Sequence, residues 1–239
     1  MRRSRGDPAG SGPAEAPASA QVAVIAGTPY DARLGADLLA ARGIRSTPYP
    51  MASSPDEQDG LQYLAPDALN RAFQAQVRDI HALGSTVALL FCNSLSAVVD
   101  LDAIAETSPV RLISPITVYR RLPPDLERIM VLTGNGQATV GFERTVMRAA
   151  GDRRVLAVSD QALVRAIENG DPADAFASSH LPTTLRLAEH LDLDVVVLAC
   201  THFTAILPFV EAACSVPVID VGTSLVALTC EAAGLAGPG

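Results

Sequence analysis

Three five-residue runs in this chain, 22–26, 87–91 and 195–199, are apolar at every position, and longer segments of helical period separate them. A strand covered on both faces reads this way, because neither set of alternating side chains meets water. Short apolar strands alternating with helices define β/α units and a parallel sheet. Residues 22–26 close on Gly27, Thr28 and Pro29, residues 31–42 read as a helix ended by Gly43, and a short strand is expected at 44–47. Leu69, Phe73, Val77 and Ile80 draw one apolar stripe along a helix predicted over 66–83, which Gly84 stops. A second set follows, with a strand at 129–132, a turn at 133–137, a helix at 139–150, a strand at 155–158 and helical segments to His190.

The two sets repeat one another. Val22 precedes Cys92 by 70 residues and Met130 precedes Cys200 by 70, and each interval runs from a strand and a Gly-containing turn to a buried strand ending in Cys plus polar residues. The expected fold is therefore α/β, with two pseudo-symmetric lobes, each a parallel sheet flanked by helices, and a cleft between them. Residues 21–115 with 216–239 form the expected first lobe and residues 116–215 the second, the chain crossing near Pro115 and returning between Pro208 and Pro217. The strand and final helix within 217–236 are assigned to the first lobe. Residues 1–20, rich in Pro, Gly, Ala and Ser, are expected to be a disordered tail.

Composition narrows the function. A net charge of −8 argues against nucleic acid and anionic membranes as partners, which leaves a small molecule or another protein. With no run of some 18 to 20 apolar residues and no convincing signal peptide, a cytoplasmic protein is expected. The four cysteines, at 92, 200, 214 and 230, lack paired spacing and read as reduced thiols. All 18 basic residues are Arg. Without Lys there is neither a phosphate-loop Lys nor an amine to form an aldimine with pyridoxal phosphate.

Ligands of parallel α/β sheets bind at the carboxyl ends of the strands, where helix starts offer N–H groups and a partial positive charge that favours a thiolate. Cys92 and Cys200 both stand at such ends. A lone cysteine after an apolar strand is usually a small buried hydrophobe, but Asn93, Ser94, Thr201 and His202 bring polar groups beside both. Cys214 and Cys230 have apolar or small neighbours and are assigned to packing. Gly134-Asn135-Gly136 has Thr139 where a dinucleotide fingerprint needs its third glycine. His81, His180 and His190 show no metal-ligand spacing, so no metal is expected. No Gly-x-Ser-x-Gly elbow is present.

Cys92-Asn93-Ser94 followed by Ala97 resembles the Cys-Asn-Thr/Ser motif of the aspartate/glutamate racemase superfamily. Leu198-Ala199-Cys200-Thr201-His202-Phe203 closely resembles the second motif of its glutamate racemase branch, Gly-Cys-Thr-His-Tyr/Phe. Gly27-Thr28-Pro29-Tyr30-Asp31 and Thr133-Gly134-Asn135-Gly136-Gln137 look like the family's ligand loops, and the resemblance runs from about Val22 to Val221. It implies a cofactor-independent amino-acid racemase in which Cys92 and Cys200 are opposing acid and base, His202 assists Cys200, and Thr28, Asn93, Ser94, Asn135 and Thr201 bind a carboxylate-bearing substrate such as aspartate or glutamate. A homodimer is a family habit. The first loop departs from the branch's Asp-Ser, and Gly134 and Gln137 replace common threonines. A cysteine-dependent cis-trans isomerase of a small dicarboxylate, similar to maleate isomerase, and a non-catalytic small-molecule binder are the alternative readings. Decarboxylases of the superfamily rely on one thiol, against which Cys92 counts, and hydantoin racemases carry different residues around both cysteines.

Overall fold

The apolar runs become the inner strands of two parallel sheets in a computed structural model that describes residues 21–61, 63–149 and 152–234. In the first sheet β1 (Gln21–Ala26) and β3 (Ser85–Phe91) lie between β2 (Ser46–Pro50) and β4 (Arg111–Ile113), in the order β2-β1-β3-β4. In the second, β5 (Arg128–Thr133) and β7 (Val195–Ala199) lie between β6 (Arg154–Ser159) and β8 (Val218–Asp220), in the order β6-β5-β7-β8. Every pairing is parallel. The same strand order occurs twice, so the repeat read from spacing is a repeat of topology.

Helices fill the connections. The first half carries α1 (Pro29–Ala40), α2 (Pro55–Leu61), α3 (Pro66–Ala82), α4 (Asn93–Val98), α5 (Leu101–Thr107) and α6 (Pro115–Tyr119). The second carries α7 (Gly136–Ala149), α8 (Gln161–Asn169), α9 (Pro172–Ser178), α10 (Leu181–His190), a 3₁₀ turn (Thr201–Ile206), α11 (Leu207–Ala213) and α12 (Val221–Ala232). The stripe expected on α3 is its buried face: Leu69, Phe73, Val77 and Ile80. Each such side chain, fully buried, contributes roughly 1.5–3 kcal/mol relative to exposure. Among the described residues no helix is long and apolar enough to cross a membrane.

Strand alternation divides the interior. Val22, Val24, Leu89 and Phe91 of the first sheet share one core with Ile129, Val131, Val197 and Ala199 of the second. The opposite faces pack separately, Ile25, Leu90 and Cys92 in one core and Leu132, Leu198 and Cys200 in another. Both cysteines thus continue the same face of corresponding strands.

Two expectations are corrected. The strand expected at 44–47 begins at Ser46, because Ile44 completes the end of α1: Gly43 takes φ 77°, and the Ile44 N–H reaches back to the Leu39 carbonyl at 3.0 Å. That is a Schellman-type cap, with Ile44 as its buried apolar residue. The strand assigned to the first lobe, β8, instead pairs with β7, Leu198 standing opposite Asp220. The four residues between α11 and β8 span at most about 14 Å, which keeps the chain on the second sheet. The helix that follows does reach the first lobe, since α12 packs against β3 and α1. The expected disordered tail lies outside the described residues.

Candidate active site

Cys92 and Cys200 end their strands as N-cap residues, Cys92 before α4 (φ −162°, ψ 116°) and Cys200 before the 3₁₀ turn (φ −147°, ψ 124°). The extended backbone carries the strand's alternation one residue further and aims both side chains alike. Both are buried, at 2% and 8% exposure, yet both line one pocket between the lobes. The cavity measures about 20 Å³, room for a single water. Among the described residues no three His, Cys, Asp or Glu side chains converge as a metal site.

Of the eight residues singled out from sequence, Cys92, Asn93, Ser94, Asn135, Cys200, Thr201 and His202 line this pocket, and Thr28 does not. Thr28 is fully buried behind it. Its hydroxyl caps α1 by accepting from the Asp31 N–H at 3.3 Å and donates to Glu168 Oε1 at 2.5 Å. Asn135 caps α7, its Oδ1 accepting from the Ala138 N–H at 3.0 Å. The Asn93 amide donates to the Tyr119 hydroxyl at 2.6 Å.

Three side chains that sequence reasoning did not single out complete the site. Asp31, on α1, accepts from the Thr201 hydroxyl at 2.9 Å and lies 3.2 Å from His202 Nδ1. Glu168, on α8, meets His202 Nε2 at 2.7 Å. Gln58, on α2, brings its Nε2 to 3.4 Å from Cys92 Sγ and 3.3 Å from Ser94 Oγ. Asp31 closes the loop 27–31 that the sequence marked as a ligand loop, three residues after the cap-forming Thr28, without being picked out within it. Nothing in the local sequence around Gln58 or Glu168 marks either one.

The electrostatics follow from these contacts. Burial alone would push the His202 imidazole toward neutrality. Asp31 overrides it by charge and hydrogen bond, with further hydrogen bonds to Cys200 and Glu168, so the pKa rises well above the ordinary histidine value, which favours the imidazolium form. Burial opposes ionisation of Glu168 as well, but the hydrogen bonds from His202 and Thr28 outweigh it and its pKa falls. The Tyr30 ring stacks on His202 at 5.4 Å between centroids, covering the ion pair. Cys200 Sγ lies 4.0 Å from His202 Nδ1, the outer limit of a sulfur hydrogen bond. Burial and the Asp31 charge push the Cys92 thiol up to about 11, against hydrogen bonds from the Ser94 side chain and the Leu95 N–H.

Two acceptors on residues that line this pocket are unpartnered. Asp31 Oδ1 and Asn93 Oδ1 are buried and accept no hydrogen bond. A buried oxygen left so costs about 1–3 kcal/mol. A ligand bearing N–H donors would satisfy both.

Comparison with known proteins agrees with the geometry. A family model described as Asp/Glu/Hydantoin racemase matches residues 16–229. No curated protein matches in sequence. Among solved structures, a glutamate racemase isoform of Bacillus anthracis superposes with TM-score 0.67 at 14% identity, over 87% of this chain and 79% of that one. The aspartate racemase of Picrophilus torridus gives TM-score 0.66 at 14% identity, over 90% and 94%. A glutamate racemase of Francisella tularensis, solved with D-glutamate, gives 0.64 at 16%, over 92% and 85%.

Proposed function

This chain belongs to the Asp/Glu/hydantoin racemase family, and we propose that it inverts the α-carbon of an acidic amino acid, aspartate or glutamate, or a close derivative, by passing protons between Cys92 and Cys200. The observation that carries this reading is the pocket itself: two buried thiols from corresponding strand ends of two repeated units line one cavity.

In one direction the Cys200 thiolate takes the α-proton, the C–H electron pair stays on the carbon, and the Cys92 S–H delivers its proton to the opposite face. Cys92 is left as thiolate and Cys200 as thiol, which is the starting state for the reverse reaction. The raised pKa of Cys92 suits it to hold the proton to be delivered. The His202 imidazolium stands where it can hold negative charge on the Cys200 sulfur.

The hard step is the carbanion beside a carboxylate, and donors aimed at that carboxylate stabilise the developing charge. The Ser94 hydroxyl and the N–H groups at the start of α4 serve this role. We assign the substrate ammonium to the unpartnered Asp31 Oδ1 and Asn93 Oδ1, whose residues line the pocket. Those two acceptors favour an amino acid over a maleate-like dicarboxylate, which has no N–H to give. The Francisella relative bound D-glutamate in its structure, which supports an acidic substrate here. A cavity of about 20 Å³ holds no amino acid, so the lobes or α2 must part to admit one.

Deuterium wash-in tests the proposal. Incubation of aspartate or glutamate in deuterated water is expected to return both enantiomers labelled at the α-carbon. Cys92→Ala and Cys200→Ala are each expected to abolish racemisation. Full activity in either variant would refute the two-thiol assignment.

A further inference from the structure

Resting on that two-thiol reading, we propose that Gln58, carried into the pocket by α2, is the positioning residue for Cys92, and that Gly27 leaves the space its amide occupies. After β1 and β2 end, the two chains continue side by side, Met51 N–H bonding the Ala26 carbonyl at 2.9 Å and Ala52 N–H the Gly27 carbonyl at 3.0 Å. This places the start of α2 over Gly27. Ser54 Oγ then accepts from the Glu57 N–H at 3.2 Å, and the Glu57 carboxylate turns back to the Ser53 N–H at 2.7 Å. Across the cleft, Arg165 of α8 pairs with Asp56 at 2.9 Å. The short helix is thus fixed at its start and tied to the other lobe two residues before Gln58.

From there Gln58 reaches inward, and its Nε2 contacts both Cys92 Sγ and Ser94 Oγ. A Cβ built on Gly27 would lie 2.2 Å from that nitrogen. No side chain at position 27 coexists with the amide as placed. An N–H donor at a sulfur favours its thiolate form. Cys92 needs such help, because burial and the charges that face it outweigh the hydrogen bonds from Ser94 and the Leu95 N–H. Asp31 approaches from α1 with a negative charge, Cys200 faces it from the second lobe, and Tyr119 of α6 is held behind Asn93. The His202 imidazolium, on the 3₁₀ turn, is committed to Asp31 and to Glu168 of α8.

Alkylation of Cys92 by iodoacetamide across neutral and alkaline pH, followed by peptide mass spectrometry on the full chain, reads the thiol directly and needs no substrate. Gln58→Ala is expected to move the midpoint up by about one unit and to slow alkylation about tenfold at neutral pH. Gln58→Glu, which keeps the shape and removes the donor, is expected to move it further. The three atoms nearest an added Cβ in Gly27→Ala all belong to the far end of a flexible side chain, so the variant should fold, displace the amide and reproduce Gln58→Ala. A Cys92 profile unmoved by Gln58→Ala overturns the assignment, even if Cys92→Ala abolishes racemisation. A profile moved by Gln58→Ala but not by Gly27→Ala overturns the role given to Gly27. A shifted profile in a chain without racemase activity would sink the two-thiol reading and leave the Gln58 contact standing.

Discussion

Cys92 and Cys200 occupy the same place in two copies of one unit and keep different company. Each caps the segment after five consecutive buried strand residues, each continues the same sheet face, and each has a glycine nearby in the turn after its lobe's first strand. Around Cys92 the hydrogen-bonding groups are neutral: the Gln58 amide, the Ser94 hydroxyl and the Leu95 N–H. Around Cys200 stands an imidazolium held between two carboxylates. One of those carboxylates, Asp31, comes from the first lobe, and Thr28 of the first lobe holds the other in turn. The repeat therefore supplies the backbone geometry twice, while the charge is assembled once, across the lobe boundary. In the proposed reaction the two thiols trade roles each turnover, which does not require matched surroundings, only surroundings that each tolerate thiol and thiolate.

Removing the charged cluster is the harshest way to break this comparison. His202→Asn is expected to lower kcat by about 10²–10⁴-fold with a smaller change in KM, read as loss of optical rotation of a single enantiomer. Activity within a few-fold of the parent would mean that the cation does not distinguish the two thiols. The same substitution should cost stability, since removing one partner of a buried ion pair costs about 3–5 kcal/mol.

That cost is also pH-dependent, with a sign set by the two shifts. The raised pKa of His202 gives stability that is complete below the ordinary histidine value of 6.5 and is lost as pH rises through the folded value above it. The lowered pKa of Glu168 gives stability present above 4.5 and lost as pH falls through the folded value below it. The gap in Tm between the parent and His202→Asn is therefore expected to be widest at weakly acid to neutral pH and to narrow on both sides. Thermal melts across pH would expose a flat difference, which would mean that the network is not ionised as described.

How much of this was legible in the sequence divides along the same line. Strand runs such as 195–199 and the stripe from Leu69 to Ile80 are local patterns, and the structure has them where periodicity places them. The thiols were legible because each sits at a strand end beside polar neighbours, a signal carried within three residues. The assignment of β8 failed because pairing is decided by the length of the preceding connection and not by the strand's own three residues. Gln58 and Glu168 were missed for a related reason. One sits 34 residues from Cys92 and the other 34 from His202, on helices where a polar residue ordinarily faces water. Thr28 was read as a substrate contact from its loop, and the fold instead turns its hydroxyl toward Glu168.

The two glycines offer the finest test of the comparison. An added Cβ at Gly27 meets the end of Gln58 first, whereas at Gly134 it would lie 3.0 Å from Cys200 Sγ and 3.0 Å from Val164 Cγ2. Gly134 is not among the glycines with positive φ, so alanine suits the backbone and itself contributes about 0.4–1 kcal/mol through the unfolded chain. The contact must be relieved by moving the sulfur or Val164 a few tenths of an ångström. Proton transfer needs near hydrogen-bond contact, and misplacement by 1 Å can cost about 10²-fold. Gly134→Ala should therefore leave the melting temperature within a few degrees and lower kcat about tenfold by displacing the Cys200 sulfur itself. Gly27→Ala acts on a neighbour of the other thiol, so the two changes should combine additively in log kcat if the sides are as separate as their contacts make them. A double variant no slower than either single one would show that both glycines set a single shared property of the pocket, and the distinction between the two thiols would fall with it.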